Sequence, residues 1–252
     1  MRIGLAGAGA FGTQHIAALS AIPEANLVTI AEPNQILRGD LSNAYPGMSL
    51  CAEFEELVTD ESIDAVILTT PTPMHADQAI AAMKAGKHVL VEIPLADSLA
   101  DAERVLAVQQ ATGRICMVGH TRRFNPSHQW VKNRIDEGTL SIQAMVAETF
   151  FFRRENINAK GEPRYWTDHL LWHHAAHSID LFQYMTGSKV IDANVLQGPL
   201  HAELGIAMDM SIQLRTQSDQ VLTLSLSFNN DGPLGTRFRY IGDTGTYLAH
   251  YD

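Results

Sequence analysis

Arg2 to Gly12 reads R-I-G-L-A-G-A-G-A-F-G, a short apolar run that breaks directly into a G-x-G-x-x-G motif. Arg2 to Ala6 has the character of a buried strand, and Phe11 to Ala21 that of a helix. Each glycine has a mechanical reason: Gly7 makes the tight turn, Gly9 lets a pyrophosphate approach the backbone, and Gly12 lets helix pack on strand. Ala10 and Phe11 open the helix whose N-terminus would face that pyrophosphate. The motif alone is weak, but its place between strand and helix predicts a dinucleotide-binding turn.

The next apolar run, Leu27 to Ala31, ends at Glu32, about 20 residues beyond the last glycine. An acid there accepts hydrogen bonds from the adenosine ribose and repels a 2′-phosphate, which favours NAD over NADP. Arg38 lies close enough to complicate that charge, and an exposed loop acid is the plainer reading of Glu32. Farther on, strands and helices alternate: Ala65 to Leu68, a helix from about Ala76 to Ala85, His88 to Val91, a helix from about Ser98 to Thr112, and Ile115 to Val118. This alternation predicts a doubly wound parallel sheet. Ligands bind beyond the carboxyl ends of such strands, which places Thr70, Pro71, Thr72, His75, Glu92, Pro94 and His120 at the cofactor edge. His75 reads equally well as a helix-start residue with a satisfied ring.

Beyond Gly119 the pattern changes, giving a Rossmann domain over 1–119 and an α+β substrate-binding and dimerisation domain over 120–252, with the catalytic cleft expected between them. The second part has a helix at about Ser127 to Glu137. Strand-like segments follow at Ala144 to Phe152, Val190 to Leu196, Met208 to Leu214, Val221 to Phe228, Phe238 to Ile241 and Tyr247 to His250. Turn sequences between several of them predict a largely antiparallel sheet.

A formal net charge of −10 argues against nucleic acid or an anionic membrane as partner. No apolar run is long enough to span a bilayer, and the N-terminus lacks a signal-peptide layout, so a cytoplasmic protein is expected. Cys51 and Cys116 read as reduced thiols, neither a nucleophile. Against the acidic background, positive charge gathers at Arg122 and Arg123 and again at Arg153, Arg154, Lys160 and Arg164. Adjacent arginine pairs in an acidic protein point to a small polyanionic ligand.

The densest set of proton-handling side chains is D-H-L-L-W-H-H-A-A-H-S-I-D-L-F-Q-Y, Asp168 to Tyr184. At ~100° per residue in one helix, His169, His173, His177, Asp180 and Tyr184 share a stripe. Three readings compete. His173 and His177 have the i, i+4 spacing of zinc ligands, with Asp180 or His169 to complete a set, but no H-E-x-x-H accompanies them and no metal is expected. They could be satisfied core histidines. The dinucleotide motif favours the third reading, the proton-handling wall of a dehydrogenase. There His177 is the general base, Asp180 orients it or bonds locally, and His173 is either the base or a substrate ligand. Arg122, Arg123, Arg153 and Arg154 are candidates for the substrate carboxylates, with Trp166 and His169 as wall residues.

Taken together, G-A-G-A-F-G, T-P-T-P-M-H at Thr70 to His75, E-I-P at Glu92 to Pro94 and H-x-x-x-H-x-x-D at His173 to Asp180 resemble the glucose-fructose oxidoreductase/inositol dehydrogenase (Gfo/Idh/MocA) family over essentially the whole chain. Two departures set the chain apart from sugar-alcohol members, which carry E-K-P where Ile93 stands here, and commonly an aspartate where His173 stands. Longer runs, among them M-V-G-H-T-R-R-F-N-P-S-H and W-T-D-H-L-L-W-H-H-A-A-H, are similar to a branch that oxidises the cyclic hemiacetal of a polycarboxylated semialdehyde to a lactone. The resemblance implies hydride transfer to a nicotinamide, generally with NADP in that branch, a homodimer built on an exposed sheet face, and relatives that continue some tens of residues past Asp252. The alternatives are a family dehydrogenase for another cyclic or acidic substrate and a catalytically silent dinucleotide-binding protein.

Overall fold

The computed structural model describes residues 1–157, 161 and 163–251, so Lys160 lies outside the described residues. Two compact units divide the chain, Met1–Gly119 and His120–Asp252.

The first unit alternates strand and helix: β1 (Arg2–Ala6), α1 (Ala10–Ser20), β2 (Asn26–Ala31), α2 (Gln35–Ala44), β3 (Ser49–Cys51), α3 (Phe54–Thr59), β4 (Ala65–Leu68), α4 (Thr72–Lys84), β5 (His88–Val91), α5 (Leu99–Thr112) and β6 (Cys116–Val118). Its sheet is parallel in the order β3-β2-β1-β4-β5-β6, so the winding reverses between β1 and β4, where such sheets bind ligands. The strands read as continuous apolar runs because helices cover both faces. Leu5, Ile30 and Ile67 bury into one cluster, and Leu57, Val66, Leu68 and Val91 into the other. Two helices between β2 and β4 carry local start signals that hydrophobic periodicity passes over. Asn34 caps α2 by accepting from the N–H groups of Ile36 and Leu37, and Glu53 and Glu56 form a capping box at α3.

The second unit opens with a 3₁₀ turn (Thr121–Phe124) and α6 (Pro126–Asp136), then β7 (Ile142–Phe150). A π-helical turn (Leu170–Ala175) runs into α7 (Ala176–Thr186), followed by β8 (Val190–Gln197), β9 (Asp209–Thr216), β10 (Val221–Ser227), β11 (Gly235–Gly242) and β12 (Thr246–Tyr251). The sheet order is β12-β11-β7-β10-β9-β8. It is antiparallel except for β7 and β10, which pair in parallel, because the chain leaves the sheet through the helical segment and two strands before β10 returns beside β7. Strict alternation shows which face is covered. Met210, Ile212 and Leu214 of β9 are buried while Ser211, Gln213 and Arg215 are exposed. The buried face packs with Val131 of α6 and with Leu181, Phe182 and Met185 of α7 in one cluster.

Candidate active site

In the first unit the glycine-rich turn has the shape that its sequence requires. Gly7 has φ +87°, and a Cβ there would lie 2.9 Å from the Thr69 carbonyl oxygen. A Cβ on Gly12 would lie 2.1 Å from the Gly7 carbonyl oxygen, whereas one on Gly9 would meet nothing within 4 Å. Gly9 is therefore the open position of the turn, at the N-cap of α1, where backbone N–H groups can receive a phosphate. Ala10 and Phe11 begin that helix, and Phe11 is exposed.

Glu32 does not project freely from the end of β2. It is buried, one carboxylate oxygen accepting from the Ala8 N–H (2.8 Å) and the other from the Asn34 N–H (2.9 Å). Arg38 donates to the carbonyls of Glu32 (2.6 Å) and Pro33 (2.8 Å), bringing a cation to the same edge. This corrects the picture of Glu32 as an acid directed only at a ribose: it also braces the turn, and its charge has a cationic neighbour.

The segment from Thr70 to His75 is largely helix rather than loop, since α4 begins at Thr72 with prolines at its N-terminal positions. Pro71 is its N-cap, and Thr72 and His75 are buried. The His75 ring lies between two backbone oxygens, Nδ1 at 2.8 Å from that of Pro94 and Nε2 at 2.7 Å from that of Thr70, so it ties the α4 turn to the segment after β5. Glu92 in that segment lies 2.7 Å from Nε2 of His15 on α1 and accepts from the Ile93 N–H. His15 is a member of this edge that no spacing rule had marked, because the pairing spans 77 residues.

In the second unit the straight stripe expected over Asp168 to Tyr184 is broken. The π turn takes an extra residue before α7 begins, so ~100° spacing does not hold across it. His169 caps the turn, its Nδ1 accepting the Leu171 N–H at 3.1 Å. His173 folds back: its Nδ1 accepts the His169 N–H at 2.9 Å, its Nε2 lies 3.9 Å from Asp168, and its ring stacks on Trp166. From His177 onward the stripe is intact. His177 lies edge-on to His120 (ring centroids 5.8 Å apart), Asp180 holds Arg123, and Tyr184 lies under the Arg123 guanidinium. Asp180 is thus the partner of Arg123, bonded through both oxygens, and not of the His177 ring.

Three of the four candidate arginines are engaged within the unit. Arg123 is paired with Asp180, and Arg153 and Arg164 converge on Asp168. Arg154 donates to the Arg153 and Phe228 carbonyls and lies over Phe152. Arg122 differs. It donates to the hydroxyls of Ser178 (2.5 Å) and Thr149 (3.4 Å), lies over Phe238, and has no carboxylate partner among the described residues. Burial opposes its charge, which makes it a cation in want of an anion.

His177 and His174 share one electrostatic signature, a lowered pKa and a buried ring nitrogen without a hydrogen-bond partner among the described residues. Burial first, then the Arg122 cation, His120 and His174, push His177 down to about 3, and its buried Nδ1 has no hydrogen-bond partner among the described residues. It is neutral at physiological pH and can accept a proton. His174, also pushed down to about 3 by burial, packs its ring against Phe151 and Phe228 and behaves as a core residue. Among the described residues no three His, Cys, Asp or Glu side chains are grouped to hold a metal ion.

Comparison with known proteins joins the two units. Residues 1–120 match the model of the oxidoreductase family with an NAD-binding Rossmann fold (Gfo/Idh/MocA), and residues 126–252 match that of bacterial oxidoreductases, C-terminal. The chain is 59% identical, over its whole length and 80% of the relative's, to 4-carboxy-2-hydroxymuconate-6-semialdehyde dehydrogenase of Sphingobium sp. (strain NBRC 103272 / SYK-6). The chain belongs to the Gfo/Idh/MocA oxidoreductase family. A second relative, scyllo-inositol 2-dehydrogenase (NAD(+)) of Bacillus subtilis (strain 168), is 28% identical over 81% of this chain and 60% of its own. Among solved structures, the WlbA dehydrogenase from Bordetella pertussis in complex with NADH and UDP-GlcNAcA superposes with a TM-score of 0.87 at 23% identity, over 99% of this chain and 77% of that one. The scyllo-inositol dehydrogenase from Lactobacillus casei with bound NAD(H) and scyllo-inositol gives 0.83 at 20%, over 99% and 76%. As a Gfo/Idh/MocA oxidoreductase, the chain carries the family's NAD-binding Rossmann fold in the first unit. The uncompensated Arg122 and the neutral His177 lie in the second.

Proposed function

We propose that this oxidoreductase oxidises the cyclic hemiacetal of 4-carboxy-2-hydroxymuconate-6-semialdehyde to the lactone 2-pyrone-4,6-dicarboxylate, a step of protocatechuate 4,5-cleavage. The observation that carries the reading is the 59% identity along the whole chain to a relative named for that substrate. The second unit supports it, since a half-buried arginine without a carboxylate partner among the described residues suits a polycarboxylate better than a neutral polyol.

The turn at Gly7, Gly9 and Gly12, the Glu32 edge and the segment from Glu92 to Pro94 would hold a nicotinamide dinucleotide. The open Gly9 position at the N-cap of α1 is what a pyrophosphate needs. When bound, the nicotinamide supplies the hydride acceptor. Arg122 binds and orients a substrate carboxylate, and His177 takes the hemiacetal hydroxyl proton. An anion docked on Arg122 offsets the cation that depresses His177, and so raises its basicity toward the range useful for proton transfer. His173 is a poorer base, because its Nδ1 lone pair is already given to the His169 N–H, leaving Nε2 as the protonated nitrogen of a neutral ring. It serves instead, with Trp166, as a wall of the site.

Glu32 by itself favours NAD. With both its oxygens engaged and Arg38 alongside, the edge is proposed to accept NADP as well. We further propose a cytoplasmic homodimer; among the described residues no helix is long and apolar enough to cross a membrane. The test is formation of reduced nicotinamide from the semialdehyde, with kcat/KM compared for NAD and NADP. His177→Ala should lower turnover by ~10²–10⁴-fold with dinucleotide affinity preserved, and His173→Asn by far less. No turnover by wild type with either dinucleotide, despite demonstrated binding, would overturn the substrate assignment. A larger loss in His173→Asn than in His177→Ala would move the base to His173.

A further inference from the structure

A half-buried base must also lose the proton it gains. His177 sits where an imidazolium is unfavourable, with its Nδ1 sealed from solvent and no bonded partner for it among the described residues. Its neighbours are Arg122, which repels a proton, His174, which is walled by Phe151 and Phe228, and His120. Of these, His120 has a route onward. Its ring stands edge-on to that of His177 with centroids 5.8 Å apart. Its Nε2 lies 3.9 Å from Oδ1 of Asp180, whose two oxygens are both held by Arg123, and that guanidinium is 40% exposed.

We propose that His120, with Asp180 beside it, is the path by which the proton taken up at His177 leaves the site. The inference rests on His177 being the base. Only the proton is routed: it passes from the hydroxyl oxygen to His177, then to His120, and from there to solvent, while the hydride's acceptor is unchanged. Asp180 sets a carboxylate oxygen 3.9 Å from His120 Nε2, which opposes the repulsion a proton there would meet from Arg122. His120 thus acts through His177, which makes it a positioning and transfer residue.

The test compares His120→Asn with His177→Ala in weakly buffered solution. His120→Asn should lower kcat roughly tenfold at neutral pH and enlarge the solvent deuterium isotope effect. Added imidazole, a diffusible proton acceptor, should restore much of the loss. Turnover within twofold of wild type, or a loss that imidazole does not restore, overturns the path. If His177→Ala keeps its turnover, the base assignment fails instead, so the two failures are told apart. A second measurement needs no turnover: nitrogen-detected NMR titration of the imidazoles in the full chain. Removing His120 should move the His177 titration upward, and an unmoved titration means that the rings are not coupled and overturns the path.

Discussion

Arg122 is the residue at which binding and proton chemistry meet. Its guanidinium is held by two hydroxyls, a partnership that orients it without neutralising it, and the same charge helps to keep His177 unprotonated. Two substitutions separate the roles. Arg122→Gln removes the charge: KM for the hemiacetal should rise by roughly 10–100-fold as a buried carboxylate loses its partner. Because a neighbouring cation lowers His177, its loss lets the ring bind a proton at higher pH, so the acid limb of kcat/KM should move upward. Arg122→Lys keeps the charge and loses the fork. It should raise KM by a smaller factor and leave the acid limb in place. An acid limb that stays fixed in Arg122→Gln would mean that this charge does not tune the base.

At the scale of elements, the turn between β1 and α1 contains two glycines whose reasons can be separated by experiment. Gly12→Ala would drive a methyl into the Gly7 carbonyl, so it should lower the melting temperature of the chain and weaken dinucleotide binding together. Gly9→Ala has φ −67° and open space, so it should leave stability nearly unchanged and weaken dinucleotide binding alone, as measured by calorimetric titration. Equal stability losses in the two variants would contradict this division. That contrast also shows what a sequence makes legible. A turn whose parts lie within six residues writes its geometry in residue types, and β4 and β5 announced themselves through unbroken apolar runs. The π turn left no such mark: nothing in L-L-W-H-H-A distinguishes a turn wound one residue wider, and with it went the phase of His169 and His173 relative to His177. Partnerships across long separations were equally invisible. Arg123 meets Asp180 over 57 residues and His15 meets Glu92 over 77, so composition suggested free arginines where the fold supplies their carboxylates.

For the whole molecule, the same burial that makes His177 useful exposes the fold to acid. His174 and His177 are pushed down to about 3 and His128 to about 4, burial being the largest cause in each case. His128 has an independent reason to stay neutral. On α6 it is fully buried between two tyrosine hydroxyls, Nδ1 at 2.8 Å from that of Tyr240 and Nε2 at 3.1 Å from that of Tyr251, which links α6 to β11 and β12. An unfolded histidine titrates near 6.5, so as pH falls below that value the unfolded chain takes up protons that the folded chain refuses. Stability is therefore fully present above about pH 6.5. It should decline from there toward pH 4, each of the three histidines contributing a slope of up to about 1.4 kcal/mol per pH unit. Carboxylates reinforce this only at lower pH, where Asp168, held below its usual range by Arg153, Arg164 and His173 despite burial, begins to protonate. Denaturant unfolding at pH 7.5, 6 and 5 should show this loss with uptake of between one and three protons on unfolding at pH 5. Constant stability across that interval would mean that these rings titrate normally in the fold, and the neutral His177 on which the proposed chemistry depends would fall with it.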